Sequence, residues 1–154
     1  MPATLLAIGK MRFAPYRDAA DEYLKRIKHY LPIQECELKS ELSPKLSDSQ
    51  IRERESKQIL AQIQPNTFLF VLDERGKLMK SEQFACSLQK LIDQSTPMAF
   101  AIGGAFGHHD CLRNRANLLL GLSPLTFPHE LARVLVYEQI YRAMTIIKNE
   151  PYHK

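Results

Sequence analysis

The chain has no tryptophan, only three cysteines and only six glycines in 154 residues. It also has no apolar run approaching the roughly 20 residues that a bilayer-spanning helix needs, which excludes a helical membrane protein. Cys36, Cys86 and Cys111 are odd in number and widely spaced, with no Cys-x-x-Cys. They offer neither a disulfide framework nor a zinc site and read as free thiols of a reducing compartment. The first ten residues, Met-Pro-Ala-Thr-Leu-Leu-Ala-Ile-Gly-Lys, lack a basic n-region and carry only a short apolar stretch. That argues against a secretory signal, and the expected location is the cytoplasm. A block of one-signed charge is missing too. Residues 1–60 hold 11 Lys and Arg against 9 Asp and Glu, and residues 61–154 hold 10 against 8. The formal net charge of +4 permits a polyanionic partner without demanding one, and there is no basic tail.

What is present is an ordinary globular composition, 45% hydrophobic and 25% charged. The length suits one domain, which at this size buries about 68–70% of its unfolded surface. Residues 4–8 form a short apolar run closed by Gly9, the pattern of a buried strand. From Pro15 the spacing becomes helical through Ile27, and residues 33–38 alternate as a strand near a sheet edge. The polar stretch 39–48 reads as a loop, followed by a helix over 51–63 and a central strand over 67–72. Residues 73–77 read as a turn, and Ser81 as the cap of a helix that stops near Pro97. Residues 98–102 are a buried strand, 110–117 a short helix, 118–122 a last apolar strand and 129–147 a long helix. Strands alternating with helices predict an α/β fold with a mostly parallel sheet flanked by helices. Ligands of such sheets bind outside the carboxyl ends of the strands. That rule draws together the ends of 67–72, 98–102 and 118–122.

Half of the glycines, Gly103, Gly104 and Gly107, follow the buried strand 98–102. They suit either a nucleotide or nucleoside cradle or a tight turn that holds nothing. The spacing matches neither Gly-x-Gly-x-x-Gly nor the phosphate-binding loop, which disfavours phosphate chemistry. His108-His109-Asp110 lacks a third metal ligand at suitable spacing and fits a helix start capped by His109 or Asp110, so no metal is expected. Cys111 has no activating partner in the sequence. The two prolines of 123–128 stiffen a loop that could hold an adenine ring by its main chain, or merely connect two elements. Arg133 and Arg142 stand on an otherwise apolar helix, and Tyr152 and His153 follow Pro151 close to the terminus, where chains usually fray.

Taken in order, Ala7-Ile8-Gly9-Lys10, Ile102-Gly103-Gly104-x-x-Gly107, Leu125-Thr126-Phe127-Pro128-His129, Arg133-Val134, Glu138-Gln139-x-Tyr141-Arg142-Ala143 and Pro151-Tyr152-His153 resemble the RlmH (YbeA) family of SPOUT-class methyltransferases. The resemblance covers essentially the whole chain, although Ala105, Phe106 and His108 depart from the family's glycine loop. It implies one SPOUT-type domain over 1–154 with a C-terminal trefoil knot. It also implies methylation of N3 of a pseudouridine in 23S large-subunit rRNA of the assembled ribosome, with S-adenosyl-L-methionine as cofactor and a homodimer as the working form. Carried over residue by residue, the cofactor is held by Leu72, Gly103, Gly104, Leu122, Ser123, Pro124, Leu125, Thr126 and Phe127.

Pseudouridine N3 carries a proton at neutral pH, so a base is needed, and His153 or His129 is the candidate. His153 is preferred, with Tyr152 shaping the base pocket and Arg133 and Arg142 engaging phosphate or the developing anion. The apolar positions Leu131, Val134, Leu135, Tyr141, Met144 and Ile147 suggest the long helix as the dimer face. A ribose 2′-O-methyltransferase of the same fold and a non-catalytic ribosome-binding module are the rival readings.

Overall fold

Residues 2–154 are described by a computed structural model. The chain runs β1 (Ala3–Ile8), α1 (Ala14–Ile27), β2 (Ile33–Leu38), α2 (Asp48–Leu60), β3 (Phe68–Leu78), α3 (Ser81–Asp93), β4 (Met98–Ile102), α4 (Asp110–Arg115), β5 (Leu118–Gly121) and α5 (His129–Ile147). The five strands form one sheet in the order β2-β1-β4-β3-β5, every pair parallel. The expected α/β class is therefore what the chain adopts, with β2 at an edge.

Helices cover both faces of the sheet, so the inner strands are apolar without alternation. All five residues of β4 are buried. On one face Phe70 and Phe100 stack at 4.8 Å between centroids and Phe84 of α3 meets both edge-on. Residues of α1, α3 and α5 complete that core. On the other face Leu6, Ile8, Leu69, Val71, Ala99 and Ala101 pack beneath Ile59 of α2 and Leu112 of α4.

Local chemistry moves several boundaries. α2 starts at Asp48 rather than Ile51, because Ser47 and Gln50 form a capping box: the Gln50 N–H donates to Ser47 Oγ at 3.2 Å and the Ser47 N–H to Gln50 Oε1 at 2.9 Å. Ser81 is not the cap of α3 but its first residue. Its hydroxyl donates to Gln139 Oε1 of α5 at 2.8 Å, while Gln83 accepts from the Lys80 N–H at 2.9 Å. The turn expected at 73–77 is real but does not end the strand. The Arg75 N–H donates to Asp73 Oδ1 at 2.9 Å, an Asx-type turn. β3 then resumes: Leu72 and Lys77 both lie opposite Leu120, with the intervening residues looped out.

The 19 residues of α5 make a helix about 28 Å long. It packs along α1 and α3, and its start is tied to the end of β1. Glu130 Oε1 accepts from the Arg12 and Phe13 N–H groups, and Arg133 donates to the Gly9 carbonyl at 2.9 Å. Of the six apolar positions expected at a dimer face, Val134 and Met144 are buried in this chain's own core. The face that remains is narrower than the sequence suggests, because a helix lying on two others spends two stripes of its surface on them.

A cleft at the strand ends and a folded tail

The carboxyl ends of β3, β4 and β5 surround a cleft of about 1070 Å³. Its lining includes Leu72, Gly103, Gly104, Leu122, Ser123, Leu125, Thr126 and Phe127, with His129 at the start of α5; Pro124 does not line it. Three segments far apart in sequence meet there because parallel strands all end on the same side of the sheet.

The wall after β4 is a tight turn in which the Gly107 N–H donates to the Gly104 carbonyl at 3.2 Å. Gly107 has φ +77°, which a residue with a Cβ rarely adopts. Gly104 is pressed from behind: a Cβ there would lie 2.8 Å from Glu55 Oε2 and 3.2 Å from Ile8 Cγ2. The wall after β5 is the proline-framed loop. Ser123 Oγ accepts from the Leu125 N–H at 3.0 Å, and the Leu125 side chain is 74% exposed. Among the described residues, the N–H groups of Thr126 and Phe127 have no internal acceptor.

The floor carries charge that the sequence did not single out. Asp73 accepts from Arg113 Nε at 2.7 Å, and Arg113 also pairs with Asp110 at 3.1 Å. Burial raises the Asp73 carboxyl pKa, but the Arg75 N–H and the Arg113 guanidinium outweigh it and hold it below its ordinary value. Arg52 and Arg75 also line the cleft, and neither side chain pairs with a carboxylate among the described residues. The Asp-x-x-Gly turn at a strand's carboxyl end was the signal that could have flagged Asp73. No local pattern announces its partner on α4, 40 residues away.

His108 and His109 take separate tasks. His108 Nε2 lies 2.9 Å from the Leu72 carbonyl oxygen. His109 caps α4, its Nδ1 accepting from the Cys111 N–H at 3.2 Å, while its own N–H donates to Ser56 Oγ at 2.9 Å.

The C-terminal tail is ordered by a different set of contacts. α5 ends in a Schellman turn: Asn149 has φ +55°, its N–H donates to the Ile146 carbonyl, and the Glu150 N–H donates to the Thr145 carbonyl. The chain thereby doubles back onto the helix. Tyr152 packs on Tyr141 at 4.7 Å, the Arg142 guanidinium lies 4.8 Å above the Tyr152 ring, and the Tyr152 hydroxyl donates to Glu138 Oε1 at 3.1 Å. Arg142 holds the same carboxylate at 2.6 and 2.9 Å. Arg142 also donates to His153 Nδ1 at 3.2 Å, which leaves the His153 proton on Nε2, 3.0 Å from Glu82 Oε1.

The structure thus unites the expected cofactor residues other than Pro124 with His129, but gathers Tyr152 and His153 against Arg142 in the C-terminal half of α5. Arg133 joins neither group. Expected at phosphate, it is 1% exposed and bonded to the Gly9 carbonyl and to Glu37 at 3.2 Å. Its charge is spent inside the chain, tying α5 to β1 and β2.

This architecture has solved counterparts. A methylase-family protein from Haemophilus influenzae Rd KW20 superposes with a TM-score of 0.55 at 15% identity, covering 99% of this chain and 70% of that one. Curated relatives are far closer in sequence. "Ribosomal RNA large subunit methyltransferase H" of Syntrophotalea carbinolica is 40% identical over 99% of both chains. The protein of the same name from Gemmatimonas aurantiaca is 43% identical over 100% of both. The family described as "Predicted SPOUT methyltransferase" matches residues 1–153. With a family match and identities that run the length of the chain, the protein belongs to the SPOUT methyltransferase family.

Proposed function

We propose that this protein is an S-adenosyl-L-methionine-dependent methyltransferase that modifies N3 of a pseudouridine in 23S rRNA of the assembled large subunit. The whole chain, 1–154, acts as one domain, works as a homodimer and resides with its ribosomal substrate in the cytoplasm. The observation that carries the reading is the meeting of Leu72, the glycine turn and the loop after β5 in one cleft, together with relatives named for large-subunit rRNA methylation. A C-terminal trefoil knot belongs to the same reading. It is supported by the path of the chain from β5 at one edge of the sheet back to contacts of α5 with the end of β1.

The residues present fit the cofactor. At Gly103 and Gly104 a Cβ would collide with His108 and Glu55, so only glycine lets the backbone of this turn lie where it walls the cleft, and the free Thr126 and Phe127 N–H groups suit the acceptor edge of an adenine ring. Leu72, Gly103, Gly104, Leu122, Ser123, Leu125, Thr126 and Phe127 would hold it, Pro124 acting by stiffening the loop. When bound, the cofactor supplies an electrophilic methyl group on a sulfonium. The protein then has to orient the nucleophile, worth roughly 7–11 kcal/mol, and take up the N3 proton, worth on the order of 10²–10⁴ in rate.

His153 is the proposed base. Its basic lone pair is on Nδ1, where Arg142 now donates, so the proton is taken up as Arg142 turns from the ring to the developing anion, with Tyr152 stacked under that guanidinium to position it. His129, already in the cleft, is the alternative base. Within one protomer the tail packs on Glu138, Tyr141 and Arg142, at the ninth to thirteenth residue along α5 beyond His129, which at 1.5 Å per residue sets it roughly 14–20 Å from the cleft. A homodimer resolves this if the tail of one protomer closes the cleft of its partner.

Transfer of labelled methyl from S-adenosylmethionine to ribosomes lacking the modification, followed by nucleoside analysis, tests the reading. The expected product is a pseudouridine methylated on N3. A label on ribose, or ribosome binding without transfer, would overturn it.

A further inference from the structure

One side chain between the ends of β3 and β4 has no part in the mechanism above. His108 is 3% exposed, yet it lines the cleft beside Leu72 and Gly103. Its Nε2 faces the Leu72 carbonyl oxygen at 2.9 Å. A carbonyl only accepts, so Nε2 must carry the proton. The charged groups facing the ring are Asp73 on β3 and Arg113 on α4, which are paired to each other at 2.7 Å. Burial is the dominant influence and depresses the imidazole pKa below its ordinary value, against the opposing pull of the Leu72 carbonyl and Asp73. At neutral pH the ring is therefore uncharged, protonated on Nε2, and its Nδ1 holds a free lone pair.

No group among the described residues donates to that Nδ1. The atom lies against the Gly103 turn: a Cβ built on Gly103 would be 3.1 Å from Nδ1 and 2.9 Å from Cε1. The absence of a side chain at Gly103 is what lets the ring lie so close. His108 is thus an acceptor whose tautomer and orientation are set before any ligand arrives, placed between two segments of the proposed cofactor cradle.

We propose that His108 is a cofactor-binding residue, its Nδ1 accepting a hydrogen bond from an O–H or N–H of bound S-adenosylmethionine. The ribose hydroxyls and the α-ammonium group are the two sources of such a donor. This rests on the reading that the cleft holds that cofactor.

Calorimetric binding of S-adenosylmethionine, and of 5′-methylthioadenosine, which keeps the ribose but lacks the α-ammonium, tests the proposal on the full-length protein. His108→Gln retains an N–H donor for the Leu72 carbonyl and puts nothing at the Nδ1 position. His108→Asn puts an amide oxygen there and forgoes Leu72. The Gln variant should melt near the wild-type temperature and bind S-adenosylmethionine more weakly, by roughly three- to tenfold for a hydroxyl donor and by more than tenfold for an ammonium. The Asn variant should recover much of the affinity at a lower melting temperature. Weakening toward both ligands assigns the donor to the ribose, and weakening toward S-adenosylmethionine alone assigns it to the ammonium. Wild-type affinity in the Gln variant, or no recovery in a folded Asn variant, overturns the proposal. Failure of the wild-type protein to bind S-adenosylmethionine at all would instead overturn the cofactor reading.

Discussion

Replacing Gly104 by alanine puts one methyl group where the structure has no room for it. The new Cβ would stand 2.8 Å from Glu55 Oε2, 3.2 Å from Ile8 Cγ2 and 3.3 Å from Glu55 Oε1. Contacts of this kind relax at about 3.5–4.0 Å, so either Glu55 or the glycine turn must give way. Glu55 is 2% exposed and anchored by the Glu41 N–H at 3.0 Å, and Ile8 belongs to a buried strand. The turn has one face open to the cleft and is the softer side. Overpacking of this kind costs typically about 1–3 kcal/mol. Pushed into the turn, that cost appears as a Kd for S-adenosylmethionine raised by roughly 5- to 150-fold, with a smaller fall in melting temperature. The Glu55→Ala change removes the obstructing carboxylate, so the double variant should recover part of the loss. The expected coupling is about 0.5–3 kcal/mol of opposite sign to the Gly104→Ala effect. Calorimetric titration of the two single variants and the double variant supplies the cycle. If Gly104→Ala binds the cofactor as the wild type does, the turn is not the cradle. If the two substitutions simply add, Glu55 is not what confines it.

Three further outcomes follow from the same contacts. Glu55 Oε2 is buried without a hydrogen-bond partner among the described residues, and burial raises its pKa above the ordinary carboxylate value. A carboxyl whose folded pKa exceeds its unfolded one stabilises fully below the unfolded value near 4.5 and loses that contribution as pH rises through the folded value. Glu55→Gln should therefore raise the melting temperature at pH 7–8 relative to wild type and lose that advantage near pH 4, and a pH-independent difference would refute the assignment. Arg133→Met should lower stability by about 1–3 kcal/mol, below the usual range for breaking a buried pair because Glu37 keeps Arg17 at 3.2 Å, with cofactor affinity unchanged. An unchanged melting temperature with lost RNA methylation would return Arg133 to the RNA. Removing residues 151–154 should leave cofactor binding largely intact and cut methyl transfer to ribosomes by about 10² or more, with His153→Ala reproducing most of the loss. Near-normal transfer by the shortened chain would make His129 the leading base, and sedimentation as a fully active monomer would refute the joining of tail and cleft across a dimer.

Much of this molecule is written in short-range pattern. The unbroken apolar run of β4, the helical spacing of α1 and α5 and the alternation of strands with helices each follow from burying one face, or both, of a regular element. Once the strands are parallel, their carboxyl ends must lie together, which is why the cleft could be anticipated from three distant segments. The motifs of the last 30 residues pointed to the family for a different reason, since they are runs of particular residue types rather than a periodic pattern of apolar ones.

Other features required the assembled chain. Asp73-Glu74-Arg75-Gly76 reads as a turn because its residues favour one, but whether a strand ends or resumes beyond a turn depends on a partner, here Leu120 and Gly121. An arginine on an apolar helix reads as functional because burying it is costly; only the positions of Gly9 and Glu37 offset that cost for Arg133. The run His108-His109-Asp110 reads as a capped helix start, and His109 is that cap; which tautomer His108 takes is set by the Leu72 carbonyl, 36 residues away. Tyr152 and His153 sit in sequence beside the helix that opens on the cleft, yet they fold back onto Glu138, Tyr141 and Arg142, more than two turns along that helix from His129. Propensity and periodicity are properties of neighbours along the chain, whereas hydrogen-bond partners, buried charges and distances across a site are properties of residues that only folding makes neighbours.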